Sequence, residues 1–195
     1  MTGRMEEIVG SMRRGRLVVI PTDTVYGVAA LPRSRGGVLA IFAAKGRSLD
    51  KPIPVLGMGV DDLSEVAAFD ARARALAEHF WPGPLTLVVP RSPAWAFFLG
   101  GDSNDSVAVR APAHDVARDL LVYSGPLAVT SANRSGEPEA TTLEMARASL
   151  GDAVAHYIEG GTCSAQASTI VSLVGRPKIL RAGSIGLADI QNVTS

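Results

Sequence analysis

Leu17-Val18-Val19-Ile20-Pro21-Thr22-Asp23-Thr24-Val25-Tyr26-Gly27 is the stretch whose reading settles the fold class. Four consecutive branched apolar residues read as a strand buried on both faces, the pattern of a sheet covered by helices. Pro21 stops that strand, because proline offers no N–H to the ladder. The chain then turns abruptly polar. Thr22, Asp23, Thr24 and Tyr26 bring three hydroxyls and a carboxylate into five residues. Open α/β sheets bind ligands at strand ends, so this turn is a candidate binding segment. The competing reading is a turn whose Thr and Asp side chains bond their own backbone.

On the N-terminal side, Met5, Ile8, Val9 and Met12 fall at i, i+3, i+4 and i+7, one face of a helix, and Gly15 is placed to end it. On the C-terminal side, Val38, Ile41, Phe42 and Lys45 mark a second helix behind a Gly36-Gly37 turn. Ala73, Leu76, Ala77 and Phe80 mark a third, with Asp70 as N-cap. Trp81-Pro82-Gly83-Pro84 stops it. A further helix is expected from about 115 to 121. Thr141-x-x-Glu144 is a capping-box pattern that opens another, closed by Gly151. Strands are expected at 53–56, 85–89, 107–109, 127–130, 168–173 and 179–180. Helices and strands alternate irregularly, which predicts a single α/β domain over 1–195 with a mixed sheet.

Composition narrows the function. The chain has 195 residues, 47% of them hydrophobic and 19% charged, enough for one sizeable core and the opposite of a disordered composition. Lys plus Arg equals Asp plus Glu, 19 each, so the net charge is zero. Gripping nucleic acid by charge alone calls for a basic chain, although a local cationic site remains compatible with neutrality. Cys163 is the one cysteine, which excludes an intrachain disulfide and a cysteine-rich metal site. His79, His114 and His156 lie far apart, and no metal ligands are expected. No stretch approaches the roughly 20 apolar residues of a membrane span, and Met1 to Met12 lacks the apolar run of a signal peptide. The expectation is a soluble, cytoplasmic protein with no membrane partner.

Four polar segments sit at predicted element ends. The first is the 21–27 turn. The second is Lys45-Gly46-Arg47, where Gly46 lets the backbone leave the helix and a point charge and a planar fork can face one anion. The cations also suit a helix C-terminus electrostatically. The third is Ser106-Val107-Ala108-Val109-Arg110, in which alternation puts Ser106 and Arg110 on one face. The fourth is Thr130-Ser131-Ala132-Asn133. The chain carries no P-loop, no Gly-x-Gly-x-x-Gly after the first strand, no His-Glu-x-x-His and no Gly-x-Ser-x-Gly elbow. Cations and hydroxyls predominate in these clusters, which suits an anionic substrate more than acid/base hydrolysis.

These segments resemble those of the YrdC-like threonylcarbamoyl-AMP synthases. The matching features are Pro-Thr-Asp-Thr-Val-Tyr-Gly at 21–27, Lys-Gly-Arg at 45–47, Trp-Pro-Gly-Pro-Leu-Thr at 81–86, Val-Ala-Val-Arg at 107–110, Thr-Ser-Ala-Asn-x-Ser-Gly at 130–136, Ser-Thr-Ile-Val at 168–171 and Ile-Leu-Arg-x-Gly at 179–183. Each is modest alone, but seven in family order span most of the chain. The resemblance is to the short form of the family. Two positions depart from the usual pattern: Val28 stands where the family often has Leu, and Ser172 where it often has Asp.

The resemblance implies a twisted mixed sheet with flanking helices and a concave, positively charged cavity. It implies formation of L-threonylcarbamoyl-AMP from L-threonine, bicarbonate and ATP, with Mg2+ accompanying the ATP and pyrophosphate released. A separate transferase complex would then pass the group to tRNA. Carried over position by position, it assigns Lys45 and Arg47 to catalysis. The nucleotide falls to Lys45, Arg47, Ser106, Ser131, Asn133 and Arg181. Threonine falls to Thr22, Tyr26, Arg110 and Ser168. On this reading Lys45→Ala and Arg47→Ala should each abolish pyrophosphate release without unfolding the protein. The rival is a non-catalytic module that binds tRNA or double-stranded RNA.

Overall fold

A computed structural model describes residues 2–101, 105–164 and 166–194. Its elements follow in the order α1 (Thr2–Arg13), β1 (Leu17–Ile20), β2 (Gly27–Ala30), α2 (Arg35–Lys45), β3 (Val55–Leu56), α3 (Val60–Leu63), α4 (Ala71–Phe80), β4 (Leu85–Pro90), β5 (Ser106–Arg110), α5 (Asp115–Ser124), β6 (Leu127–Ser131), α6 (Leu143–Leu150), β7 (Val154–Tyr157), β8 (Thr169–Ser172), β9 (Lys178–Arg181) and α7 (Leu187–Thr194). The strands make one sheet in the order β7-β1-β2-β6-β3-β5-β4-β8-β9. Three pairs are parallel, β1 with β7, β3 with β5 and β4 with β8; the others are antiparallel. The expected mixed α/β sheet is present.

The helix ends follow from local chemistry. Ser34 caps α2 by accepting from Gly37 N–H, so Gly36 and Gly37 lie inside the first helical turn and not before it. Asp70 caps α4 by accepting from Ala73 N–H at 2.8 Å, and that bond holds its carboxyl below the usual range. For α6 the sequence reading is one residue off. Thr142, not Thr141, is the N-cap and accepts from Met145 N–H, while the Thr141 hydroxyl turns to Met145 Sδ. With two threonines in a row, only the backbone conformation selects which one caps. The four-residue strands β2 and β7 and the helix α7 carry too little periodicity to be read from sequence, whereas Asp61-Asp62, which reads as a solvated helix start, lies in α3.

Period-two alternation divides the sheet into two unlike faces. Leu17 and Val19, Val55, Leu85, Leu87 and Val89, Val107 and Val109, and Val171 point into the larger core. That core also takes Ile41 and Phe42 of α2, Leu76 and Ala77 of α4, and Ile190 of α7. The opposite face is covered only in part. Val18, Ile20, Ala29 and Leu127 pack there under α1 and α5, through Ile8, Met12, Leu120 and Leu121. Beyond those two helices, Thr86, Val88, Ala108, Arg110 and Ile170, on that same face, line an open cavity.

Candidate active site

The cavity has a volume of about 390 Å³. Its apolar wall comes from Pro52, Pro54, Leu56, Val88, Val129 and Leu180. Its polar groups come from segments far apart in the chain. Of the ten residues expected at the site, six line it: Thr22, Arg47, Arg110, Ser131, Ser168 and Arg181. Thr24, Thr86 and Glu139 line it as well.

The 22–26 turn realises both of its readings. Thr22 Oγ1 accepts from the N–H groups of Thr24 and Val25, donates to Val25 O at 2.6 Å and lies 3.0 Å from Thr24 Oγ1. The turn is thus self-bonded, yet both hydroxyls border the cavity. Asp23 points to Arg110, with which it forms a buried ion pair, and also accepts from Ala113 N–H at 3.0 Å. Arg110 completes its grip by donating from Nε to Gly83 O at 2.9 Å and from Nη1 to Thr24 Oγ1 at 3.0 Å. Burial lowers its pKa, and Asp23 offsets only part of that. Three of its five N–H protons are spent on the protein, which leaves one each on Nη1 and Nη2.

On the far wall, Thr86 Oγ1 and Ser168 Oγ lie 2.8 Å apart. Arg181 donates from Nε to Ser168 O at 3.0 Å and from Nη2 to Ser168 Oγ at 2.9 Å. Gly183 allows this approach. A Cβ there would stand 2.4 Å from Ala167 O and 2.5 Å from Thr169 N, so any larger residue would push the 181–183 segment away from Ser168. That is a physical reason for glycine in the Ile-Leu-Arg-x-Gly segment. Ser172, at the position where Asp is frequent, ends β8 opposite Lys178 and takes no part in the cavity wall.

Lys45 and Arg47 part company at Gly46, which adopts the left-handed conformation at φ 58° and caps α2. Arg47 turns toward the cavity and donates to Lys51 O at 2.9 Å and to Pro52 O at 3.2 Å, pinning the 48–52 loop. Lys45 turns the other way and is 3% exposed. Its ammonium donates to Ser131 O, to Asn133 O and, at 3.2 Å, to Asn133 Oδ1. Its carbonyl accepts from Ser135 N–H at 2.8 Å. Three protons meet three oxygens, so the lysine binds the 131–135 loop to α2 and does not line the cavity.

Burial pushes the Lys45 pKa down to about 8, with Arg47 adding repulsion. In the unfolded chain the lysine keeps its ordinary value, so between about pH 8 and 10.5 the unfolded state holds a proton that the folded state has released. The lysine's own contribution to stability therefore rises with pH through that window. NMR titration of the 13C-labelled lysine side chains should show one Cε resonance with a midpoint near 8 that vanishes in Lys45→Met. A Lys45 midpoint above 10 would contradict the burial argument.

Three other expected site residues also stand outside the lining. Asn133 is buried, and its amide donates to Arg134 O at 3.1 Å and Glu137 O at 2.7 Å while its oxygen serves Lys45. Tyr26 is fully buried; its hydroxyl donates to Gly161 O at 2.7 Å and accepts from Gly160 N–H at 3.2 Å, and burial pushes its pKa up to about 12. Alternation from Thr22 and Thr24, which line the cavity, would put Tyr26 beside them; the bend at 23–25 breaks that period, so no local signal marks Tyr26 as buried away from the cavity. Ser106 shares a face with Ala108 and Arg110, as expected, but begins β5 opposite Pro90 and lies beyond the cavity. Thr24, Thr86 and Thr130 line the cavity from segments already singled out, whereas Glu139 is the charged lining residue that sequence reasoning missed; it lies in an irregular loop where no periodicity points inward.

An open half-face of a mixed sheet that gathers three arginines and several hydroxyls beside an apolar wall has the chemistry to suit a small anionic ligand. The chain belongs to the Sua5/YciO/YrdC family: the family model, which carries the description telomere recombination, matches residues 11–183. A Mycobacterium leprae protein provisionally named threonylcarbamoyl-AMP synthase is 45% identical over 188 residues, 95% of this chain and 85% of that one. The threonylcarbamoyl-AMP synthase of Pyrococcus abyssi is 38% identical over 94% of this chain, and the match spans 55% of the longer archaeal protein. The crystal structure of Pyrococcus abyssi Sua5 complexed with L-threonine superposes with a TM-score of 0.92 at 36% identity, covering 99% of this chain and 58% of that one.

Proposed function

We infer that this chain makes L-threonylcarbamoyl-AMP from L-threonine, bicarbonate and ATP, releasing pyrophosphate. The observation that carries the reading is the convergence of Thr22, Arg47, Arg110, Ser131, Ser168 and Arg181, from six separate segments, on one cavity. The threonine complex of the Pyrococcus abyssi relative, superposing over nearly the whole chain, supports the amino-acid half of it.

The chemistry needs positioning more than acid/base groups. The threonine amine attacks the carbon of bicarbonate, water leaves, and a carbamate forms. A carbamate oxygen attacks the α-phosphorus of ATP, and the bond to the β-phosphate oxygen breaks with pyrophosphate leaving. Arg110, through its two remaining N–H protons, suits the threonine carboxylate, with the Thr22, Thr24 and Ser168 hydroxyls alongside. Arg47 and Arg181 suit the phosphates as planar forks, with the Ser131 hydroxyl in the same lining. Lys45 and Asn133 act one step back, by holding the loop that presents Ser131. Tyr26 likewise holds the 160–161 turn.

Magnesium is expected to come with the ATP. Among the described residues no three His, Cys, Asp or Glu side chains form a ligand cluster. A phosphate-borne magnesium keeps most of its water and asks for only one or two carboxylates, and Glu139 is the carboxylate in the lining. When bound, the ion would neutralise phosphate charge. No helix among the described residues is long and apolar enough to cross a membrane. Delivery to tRNA by a transferase complex completes the proposal.

Pyrophosphate release from ATP and magnesium should require both threonine and bicarbonate, tested by omitting each in turn with no RNA present. Tight RNA binding without any such turnover would favour the non-catalytic module instead.

A further inference from the structure

Glu139 lies in the loop between β6 and α6, with its side chain 35% exposed in the cavity wall. Its Oε1 stands 3.9 Å from Arg181 Nη1. That is ion-pair range but beyond a hydrogen bond, so the two charges face one another without closing. Arg181 is held in that posture by Ser168, which occupies its Nε and Nη2 and leaves Nη1 toward Glu139. The other carboxylate that meets a cavity arginine, Asp23, is closed on Arg110 and on Ala113 N–H. The cavity therefore presents a fixed cationic edge with an anionic group across a gap from it.

An anionic ligand group that binds Arg181 Nη1 must enter that gap and meet Glu139 at close range. A bare polyanion is repelled there. A ligand that carries a positive group beside its negative one is attracted at both ends. We propose that Glu139 is a specificity-determining counter-charge: paired with Arg181, it makes the cavity prefer ligands whose anionic group is accompanied by a cationic one. Two components of the proposed reaction have that chemistry, the ammonium of the amino acid and a divalent cation riding on the polyphosphate. The inference rests on the proposed function for the names of these ligands, but its physics requires only the geometry of Glu139 and Arg181.

The test is calorimetric binding to wild type and Glu139→Gln, a near-isosteric substitution at a partly exposed loop position, with circular dichroism of both proteins to compare their folds. The first pair of probes is L-threonine and 3-hydroxybutyrate, the same molecule without its ammonium. The second is pyrophosphate with and without magnesium. Wild type should prefer the charge-compensated member of at least one pair, and Glu139→Gln should shrink that preference by about fivefold, the worth of a partly exposed ion pair. Bare pyrophosphate should bind Glu139→Gln more tightly. A shrunken threonine preference assigns Glu139 to the ammonium, and a shrunken magnesium effect assigns it to the cation. Ratios unchanged in both pairs would overturn the inference. Threonine failing to bind wild type at all would count against the functional reading instead, with the pyrophosphate pair still deciding the role of Glu139.

Discussion

Lys45→Met is expected to lower the free energy of unfolding by about 2–5 kcal/mol: three buried acceptors lose their donor at about 1–3 kcal/mol each, and removal of the desolvated charge offsets part of that loss. The lysine ammonium serves Ser131 O, Asn133 O and Asn133 Oδ1, and it is almost completely buried. Methionine replaces the alkyl stem but donates nothing, so the oxygens turn to whatever water can enter. Urea denaturation of wild type and variant measures the difference. A change under about 0.5 kcal/mol, the range of an ordinary surface substitution, would show that the three bonds do not hold the loop. This modifies the expectation from sequence, in which Lys45→Ala and Arg47→Ala were to behave alike. Arg47 is half-buried and bonds only the carbonyls of an exposed loop, so Arg47→Ala should lose pyrophosphate release while stability stays close to wild type. The two cations of one short motif separate in a single pair of denaturation curves.

Arg110→Gln is expected to cost about 3–5 kcal/mol of stability, the usual penalty for breaking a buried ion pair from one side. The side chains of Arg110 and Asp23 are 7% and 15% exposed, so water screens the pair poorly. The substitution strands the Asp23 carboxylate with only Ala113 N–H, and it takes donors from Gly83 O and Thr24 Oγ1. Adding Asp23→Asn should recover part of the loss, since the stranded charge is then gone; the cycle should show a coupling of about 1–3 kcal/mol. Additive effects would mean that the two residues do not support each other. Where the variant is folded, calorimetry should find threonine binding weakened more than ATP binding. The reverse order would move Arg110 to the nucleotide.

Both predictions concern residues that the sequence singled out, but neither energy was legible there. Leu17–Ile20 announced a buried strand because four consecutive branched apolar residues, stopped by Pro21, suit a strand covered on both faces. Asp70 and Gly46 announced helix ends because capping is decided within three or four residues. Alternation put Arg110 on the face of Ala108, and the cavity is on that face. Such signals are local, so they survive in one dimension. The assignment of α6 to Thr141 failed by one position because two adjacent threonines are locally equivalent. The strand Gly27–Ala30 was missed because its small residues pack as strand only between two neighbours from elsewhere in the chain.

The residue types at the site, and the kind of ligand they suit, were already inscribed in the order of amino acids. Which of their protons remain available to a ligand was not. Lys45 spends all three of its own on oxygens 86 and 88 positions away, Arg110 spends three of five, and Tyr26 faces the turn at 160–161. Glu139 entered the site without any motif to mark it. A hydrogen-bond donor is committed by whatever acceptor the fold brings within about 3 Å, and that distance is set only when remote segments have packed.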